Sequence, residues 1–204
     1  MLKKAREKLF AKMWQRMAPK ADERLRELKE NLFKGVRDVV LELGPGTGTN
    51  FQYFPAEITW IGVEPNQELQ KVLGDHPKRP KSFKLISRIE ELQSESVDTV
   101  VSSLVLCSVP KLEETLKEIK RVLKSGGQYL CVEHVAAPRG TVLRFIQRLI
   151  RPATRCLGGG CEPDREIGSL IDQAGFSKTD IAECRLQIYR TPIKVPIISC
   201  YAQK

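Results

Sequence analysis

Glu42, Gly44, Gly46 and Gly48 are the densest group of residues in this chain that could build a ligand site. They stand in the run Leu41-Glu42-Leu43-Gly44-Pro45-Gly46-Thr47-Gly48. Alternate glycines let a backbone turn tightly off a strand and let a ligand come close to the main chain. A dinucleotide fingerprint, Gly-x-Gly-x-x-Gly, would put its third small residue at position 49, where Thr49 stands. A P-loop would end in Gly-Lys-Ser/Thr, and this run does not. Glu42 also opposes phosphate, since two unit charges about 4 Å apart repel by about 4 kcal/mol at an effective dielectric of about 20.

Glu64 closes the next apolar stretch, twenty residues beyond Gly44. A carboxylate at a strand's C-terminal end can accept hydrogen bonds from both hydroxyls of a ribose, although dinucleotide sites use this position too. Two carboxylates flanking bare glycines suit a nucleoside that carries an ammonium and a sulfonium. S-adenosylmethionine carries both. Thr47 and Asn50, beside the glycines, and Pro65, after Glu64, join the candidate cofactor residues.

Away from this loop, His134 follows a later apolar run and is the candidate proton acceptor or substrate orienter; the alternative is a structural histidine at a strand end. Glu133 either pairs with it or faces a helix. Cys107 is a candidate lining residue of an acceptor pocket, or simply a small buried apolar side chain. Cys156 and Cys161 flank three glycines with no third ligand near them in sequence, so no metal site is expected. The six cysteines contain no Cys-x-x-Cys pair, and reduced thiols are expected.

The elements that must position these groups read as alternating strands and helices. Strands are expected at Val39 to Leu43, Ile58 to Glu64, Ser82 to Ser87, Val97 to Leu106 and Gln128 to Val135. Helices are expected after the glycine loop, at Gln67 to Leu73 and at Leu112 to Leu123, the last stopped by Ser125-Gly126-Gly127. A helix from Thr141 to Leu157, interrupted by Pro152, leads to Gly158-Gly159-Gly160, a flexible break. The stretch from Arg144 to Gly160 reads as a mobile lid, with recurring arginines that either attract an anion or form a solvated face. A helix over Glu162 to Ala174 and two strands, near Lys178 to Ile188 and Pro196 to Ala202, complete the chain. The order predicts an α/β class: one doubly wound, Rossmann-like domain over residues 38–204 with a mainly parallel seven-stranded sheet.

Residues 1–37 form a basic helical extension, with twelve Lys or Arg against five Asp or Glu, whereas the rest of the chain accounts for only +2 of the net +9. Ala5, Leu9, Phe10, Met13, Trp14 and Met17 recur at helical spacing among lysines and arginines, Pro19 ends this helix, and a second follows to Phe33. Such a helix either lies on an anionic membrane surface or caps the site. The nearly neutral remainder argues against nucleic acid as a partner. No run is long and apolar enough to span a bilayer, and no secretory signal is evident. The expected setting is therefore intracellular, cytoplasmic or peripheral on a membrane such as the endoplasmic reticulum, and a monomer is expected.

At these motifs the chain resembles the class I S-adenosylmethionine-dependent methyltransferases. Glu42 to Gly48 resemble the family's first motif and Glu64-Pro65-Asn66 its second. Ile89-Glu90 resemble the segment along the adenine, and Ser102 to Val109, including Ser103 and Leu104, the fourth-strand motif beside the methionine moiety. Within the class the chain is most similar to the alkyl thiol methyltransferases called methyltransferase-like 7. That likeness rests on Leu104 to Val109, Glu133-His134-Val135-Ala136-Ala137, Gly160-Cys161 with Arg165-Glu166, and the Tyr201-Ala202-x-Lys204 ending. In place of that family's apolar anchor stands the basic leader. The resemblance implies S-adenosyl-L-methionine as cofactor and a small-molecule acceptor, foremost a hydrophobic thiol. Lipid or quinone methylation at a membrane surface and a non-catalytic binding role are the alternatives. A thiolate is nucleophilic enough that no strong base is required.

Overall fold

In the computed structural model, which describes residues 2–187 and 194–204, one seven-stranded sheet carries the chain. Its strands are β1 (Val39–Leu43), β2 (Thr59–Val63), β3 (Ser82–Ile86), β4 (Val97–Ser103), β5 (Leu123–His134), β6 (Lys178–Gln187) and β7 (Lys194–Gln203). They lie in the order β3-β2-β1-β4-β5-β7-β6, all parallel except β7, which runs antiparallel to both β5 and β6. The doubly wound, mainly parallel sheet expected from the alternation is the observed one. The last expected position of β6, Ile188, lies outside the described residues.

β1 is the hinge of this order. From it the chain builds outward through β2 and β3, then returns to β4 on its other side. Open parallel sheets bind ligands at such a reversal, outside the carboxyl ends of the strands. Those ends hold the glycine loop, Glu64 and Ser103-Leu104. Val40, Leu41, Val100, Val101, Leu130 and Val132 are all essentially inaccessible, as expected of strands covered on both faces.

Helix α1 (Leu2–Leu32) departs from the expectation of two helices broken at Pro19. Pro19 apart, it contains no glycine or β-branched residue, so propensity favours it on both sides of the proline. It is packed against the domain on both sides of the proline: Ala11 and Ala18 are buried before it, and Leu25 and Lys29 after it. That packing outweighs a cost of about 3 kcal/mol for an interior proline. Asp22 ties the helix down, accepting from Lys29 Nζ at 2.7 Å and from Gln52 Nε2 and Tyr53 Oη at 2.8 Å.

The other helices are α2 (Gln67–Gly74), α3 (Leu112–Val122), α4 (Val142–Leu157) and α5 (Ile167–Gln173). α4 likewise continues through Pro152 rather than breaking there. The glycine loop leads only into a 3-10 turn, Thr49–Tyr53, because Pro55 forces Phe54 into extended backbone (φ −95°, ψ 144°). α5 starts five residues later than expected. Glu162 and Arg165 are instead bonded to backbone carbonyls of the loop after β4, and these tertiary bonds displace a helical turn. β5 begins at Leu123, ahead of the expected Gln128, with an irregularity opposite Val97 and Thr99 absorbing Ser125-Gly126-Gly127.

α4 is inverted relative to an ordinary surface helix. Its polar residues face inward: Arg144 meets Glu166 at 3.1 Å, and Gln147 bonds the backbone at Ala137 and Val135. Arg151 and Arg155 pair with Asp164 and Glu162. Arg144 is thus a buried packing group, whereas Arg151 and Arg155 form ion pairs on an exposed face, the solvated alternative expected for them. Val142, Phe145 and Leu149 point outward, each more than 65% exposed, and Ile146, Ile150 and Leu157 extend the same ridge.

Candidate active site

The three loop glycines all take left-handed backbone, at φ 53°, 60° and 79° for Gly44, Gly46 and Gly48. A Cβ on Gly44 would lie 2.7 Å from the Val105 side chain, and one on Gly46 2.7 Å from Trp14 Nε1. The alternation of glycines is thus required by backbone conformation and by close packing together. Gly44 N donates to Val63 O at 2.9 Å, drawing the loop over the end of β2.

Glu64 faces this loop. Its carboxylate accepts from Gly46 N at 3.2 Å and Asn66 N at 2.9 Å, and burial raises its pKa to about 7 against those bonds. Glu42 is placed differently from the expectation that its charge meets the ligand. It is fully buried behind the loop, where Asn50 Nδ2 (2.7 Å) and Trp60 Nε1 (2.9 Å) donate to its two oxygens. Burial raises Glu42 to about 7 as well. Two buried polar atoms in this region, Thr47 Oγ1 and Asn50 Oδ1, have no protein partner.

The loop opens on a cavity of about 470 Å³, within the range of small-molecule sites. Of the residues singled out in the sequence, Gly44, Gly46, Glu64, Pro65, Ile89, Ser103, Leu104, Cys107 and His134 line it. Thr47, Gly48 and Asn50 shape the loop from behind. Glu90 is exposed and paired with Arg88 at 3.3 Å, outside the cavity wall.

The N-terminal helix caps the site, one of the two settings expected for it. Phe10, Met13, Trp14 and Met17 of α1 close the cavity from above, and Thr154, Gly158 and Gly159 flank it. The glycine triplet is a packing seat rather than a break: a Cβ on Gly159 would strike the Phe10 ring at 2.8 Å, and one on Gly160 the Ser108 carbonyl at 3.1 Å. The apolar stripe of the leader was the available signal, but periodicity does not say which surface a stripe meets.

The polar end of the cavity comes from three segments. Cys107, His134 and Cys161 place their ligating atoms within 4.8 Å of one another, with Cys161 Sγ 3.4 Å from His134 Nε2. Cys161 therefore joins these two and not Cys156, its neighbour across the glycines, which is exposed. The hydrogen bond from Cys161 and the adjacent His134 hold the Cys107 thiol well below its ordinary range despite burial. Burial opposes a charge on His134, yet Cys107 and Glu133 together raise its pKa.

Glu133 acts on His134 through its charge, and its hydrogen bonds go elsewhere. Its carboxylate accepts from Ser102 Oγ and Val105 N at 2.8 Å and from Leu106 N at 3.2 Å. It thereby fixes the loop that carries Cys107. Leu104, in the same loop, holds φ 58°, a strained conformation for a branched side chain of the kind that collects at functional sites.

The chain is similar to several known proteins. The family described as "Methyltransferase domain" matches residues 41–131. Thiol S-methyltransferase TMT1B of Rattus norvegicus is 34% identical over 182 residues, covering 85% of this chain and 74% of that protein. Thiol S-methyltransferase TMT1A of Homo sapiens is 33% identical over 191 residues, covering 90% and 76%. Among solved structures, an S-adenosylmethionine-dependent methyltransferase from Thermotoga maritima, described as a possible histamine N-methyltransferase, superposes with a TM-score of 0.62. It is 18% identical, covers 94% of this chain and 98% of its own, and speaks to the fold alone.

Proposed function

This chain belongs to the S-adenosylmethionine-dependent thiol S-methyltransferases, and from that membership we propose that it methylates small hydrophobic thiols in the cavity beneath α1. One observation carries the reading. A single cavity joins the glycine loop and Glu64 at one end to Cys107, His134 and Cys161 at the other, under an apolar roof.

The residues present fit the cofactor. Gly44 and Gly46 let the loop turn in left-handed backbone close against Val105 and Trp14 at the cavity wall, and Glu64 offers a buried carboxylate for a ribose diol. Thr47 Oγ1 and Asn50 Oδ1, buried beside the loop, have no protein partner. Ile89 and Pro65 provide apolar walls for the base, and Ser103 and Leu104 flank the amino-acid moiety. Glu42 acts through Asn50 as a positioning residue, and Gly48 through the turn itself. Once bound, S-adenosylmethionine supplies an electrophilic methyl on a sulfonium. The protein's task is to align the acceptor sulfur with it and exclude water. His134 orients that sulfur at the polar end, Cys107 lines the pocket beside it, and the α1 roof shields both.

Purified protein given labelled methyl donor and a series of alkyl and aryl thiols should form methyl thioethers, with turnover rising with acceptor hydrophobicity. No product above blank from any thiol would remove this reading.

The exposed ridge of α4 favours a membrane-side setting. Helix faces that expose this much apolar surface mark a partner, and Arg148 and the basic α1 fit an anionic lipid surface. Among the described residues no helix is long and apolar enough to cross a bilayer, and the contact proposed is through this exposed face. The protein should co-sediment with phosphatidylserine vesicles, and Phe145→Ser with Leu149→Ser should abolish this. Equal recovery with and without vesicles would refute it.

A further inference from the structure

We propose that Cys107, His134 and Cys161 hold a zinc ion whose fourth position faces the acceptor, so that the metal binds and ionises the incoming thiol; this rests on the thiol reading above. Two sulfurs and one imidazole nitrogen form a donor set that suits zinc, and three protein ligands with one open position are the catalytic pattern. Bonds of about 2.3 Å to sulfur and about 2.0 Å to nitrogen, at tetrahedral angles, put donor atoms about 3.5–3.8 Å apart. Here the Cys161 Sγ to His134 Nε2 distance is 3.4 Å, and all three donors fall within 4.8 Å. Small side-chain rotations complete the geometry. All three residues line the cavity, so the remaining position opens toward the acceptor chamber.

The segments bearing the ligands are braced, as a metal site requires. Glu162 N donates to Cys107 O at 2.9 Å, tying the Cys161 loop to the Cys107 loop. Arg165 Nη1 donates to Leu106 O at 2.8 Å and Val109 O at 2.6 Å. His134 sits in the sheet at the end of β5, in register with Ile197. Ser108 Oγ, 3.4 Å from Cys107 Sγ, can hydrogen-bond the thiolate.

Two thiolates and a neutral imidazole compensate the charge of the dication inside an apolar cavity. The acceptor thiol coordinates as thiolate and its proton passes to solvent. Its sulfur then forms a bond to the methyl carbon as the methyl–sulfonium bond breaks, and that electron pair returns to the departing sulfur. The products are a methyl thioether, a weak ligand that leaves the metal, and S-adenosylhomocysteine. Nothing is oxidised or reduced.

The test loads chelator-treated, reduced protein with zinc or cobalt(II) alone. One zinc per chain should survive gel filtration. Cobalt should give thiolate charge-transfer bands with the strong visible absorption of a tetrahedral site. Cys107→Ser and Cys161→Ser should each weaken binding beyond the roughly 10–100-fold cost of losing an outer-shell partner, while Cys156→Ser should bind as the parent does. In the unmodified chain, where no variant can misfold, zinc should protect Cys107 and Cys161 from alkylation and leave Cys156 reactive. Absence of retained zinc and of cobalt charge transfer overturns the proposal, as does protection confined to Cys156. Full thiol turnover by metal-free enzyme removes the ion and spares the acceptor assignment. Metal binding without thiol turnover does the reverse.

Discussion

Glu64 should make cofactor affinity depend on pH. Burial holds its carboxyl at about 7 in the free protein, whereas accepting ribose hydroxyls favours the carboxylate. Binding therefore requires the proton to leave. Above pH 7 this costs nothing. Below it, each pH unit costs about 1.4 kcal/mol, so two units weaken binding by about 2.7 kcal/mol, or roughly a hundredfold. Glu42, also at about 7 and repelling Glu64, titrates nearby, but its oxygens are committed to Asn50 and Trp60. Calorimetry with S-adenosylhomocysteine from pH 8 down to 5 should show this slope, with proton release near pH 6 seen as buffer-dependent heat. Glu64→Gln keeps an acceptor oxygen and loses the titration, so its affinity should be lower at pH 8 and flat with pH. A flat profile in the parent protein, or the same slope in Glu64→Gln, would refute the assignment of the ribose to this carboxylate.

Three further outcomes are expected. Gly46→Ala meets both a left-handed φ of 60° and Trp14 at 2.7 Å, and should weaken cofactor binding at least about tenfold; Gly126→Ala, at φ 74° with open space around it, should cost only about 1–2 kcal/mol of stability and leave cofactor binding unchanged by calorimetry. Glu133→Ala strands the buried amides of Val105 and Leu106 and should lower unfolding free energy by about 2–6 kcal/mol in urea melts, whereas an unchanged midpoint would show that this carboxylate does not hold the loop. Glu42, Glu64 and Glu133 fold with pKa values raised from 4.5 to about 7, 7 and 8, so the native state binds more protons than the unfolded chain between those limits and stability falls as pH rises through them. Melting by scanning fluorimetry should accordingly occur at higher temperature at pH 6 than at pH 8.5, and a rise across that range would contradict the burial of these groups.

Local signals carried most of the architecture. Three glycines at alternate positions can be read without neighbours, because each permits left-handed backbone at no steric cost, and all three adopt it. Strand periodicity and the β-to-α alternation likewise depend on residues a few positions apart, and they led directly to the sheet and to Glu64 at a strand end. Proline was a poor guide. At Pro19 and Pro152 the local rule predicted breaks, but packing along the whole helix outweighed one lost hydrogen bond.

Three matters were decided only in space. Glu42 carries the right charge in the right motif, yet its oxygens turn to Asn50 and Trp60 because the loop folds over them. α4 shows the same heptad-like stripe as a core-facing helix, but its arginines find carboxylates at 162, 164 and 166 and turn the stripe outward. Cys161 stands beside Cys107 and His134 although 54 and 27 residues separate them. Sequence alone determined the elements and the bare bend between them, since those rest on backbone preferences within one turn or strand. Which side chains meet was settled by tertiary packing, because contact energies there depend on partners far along the chain.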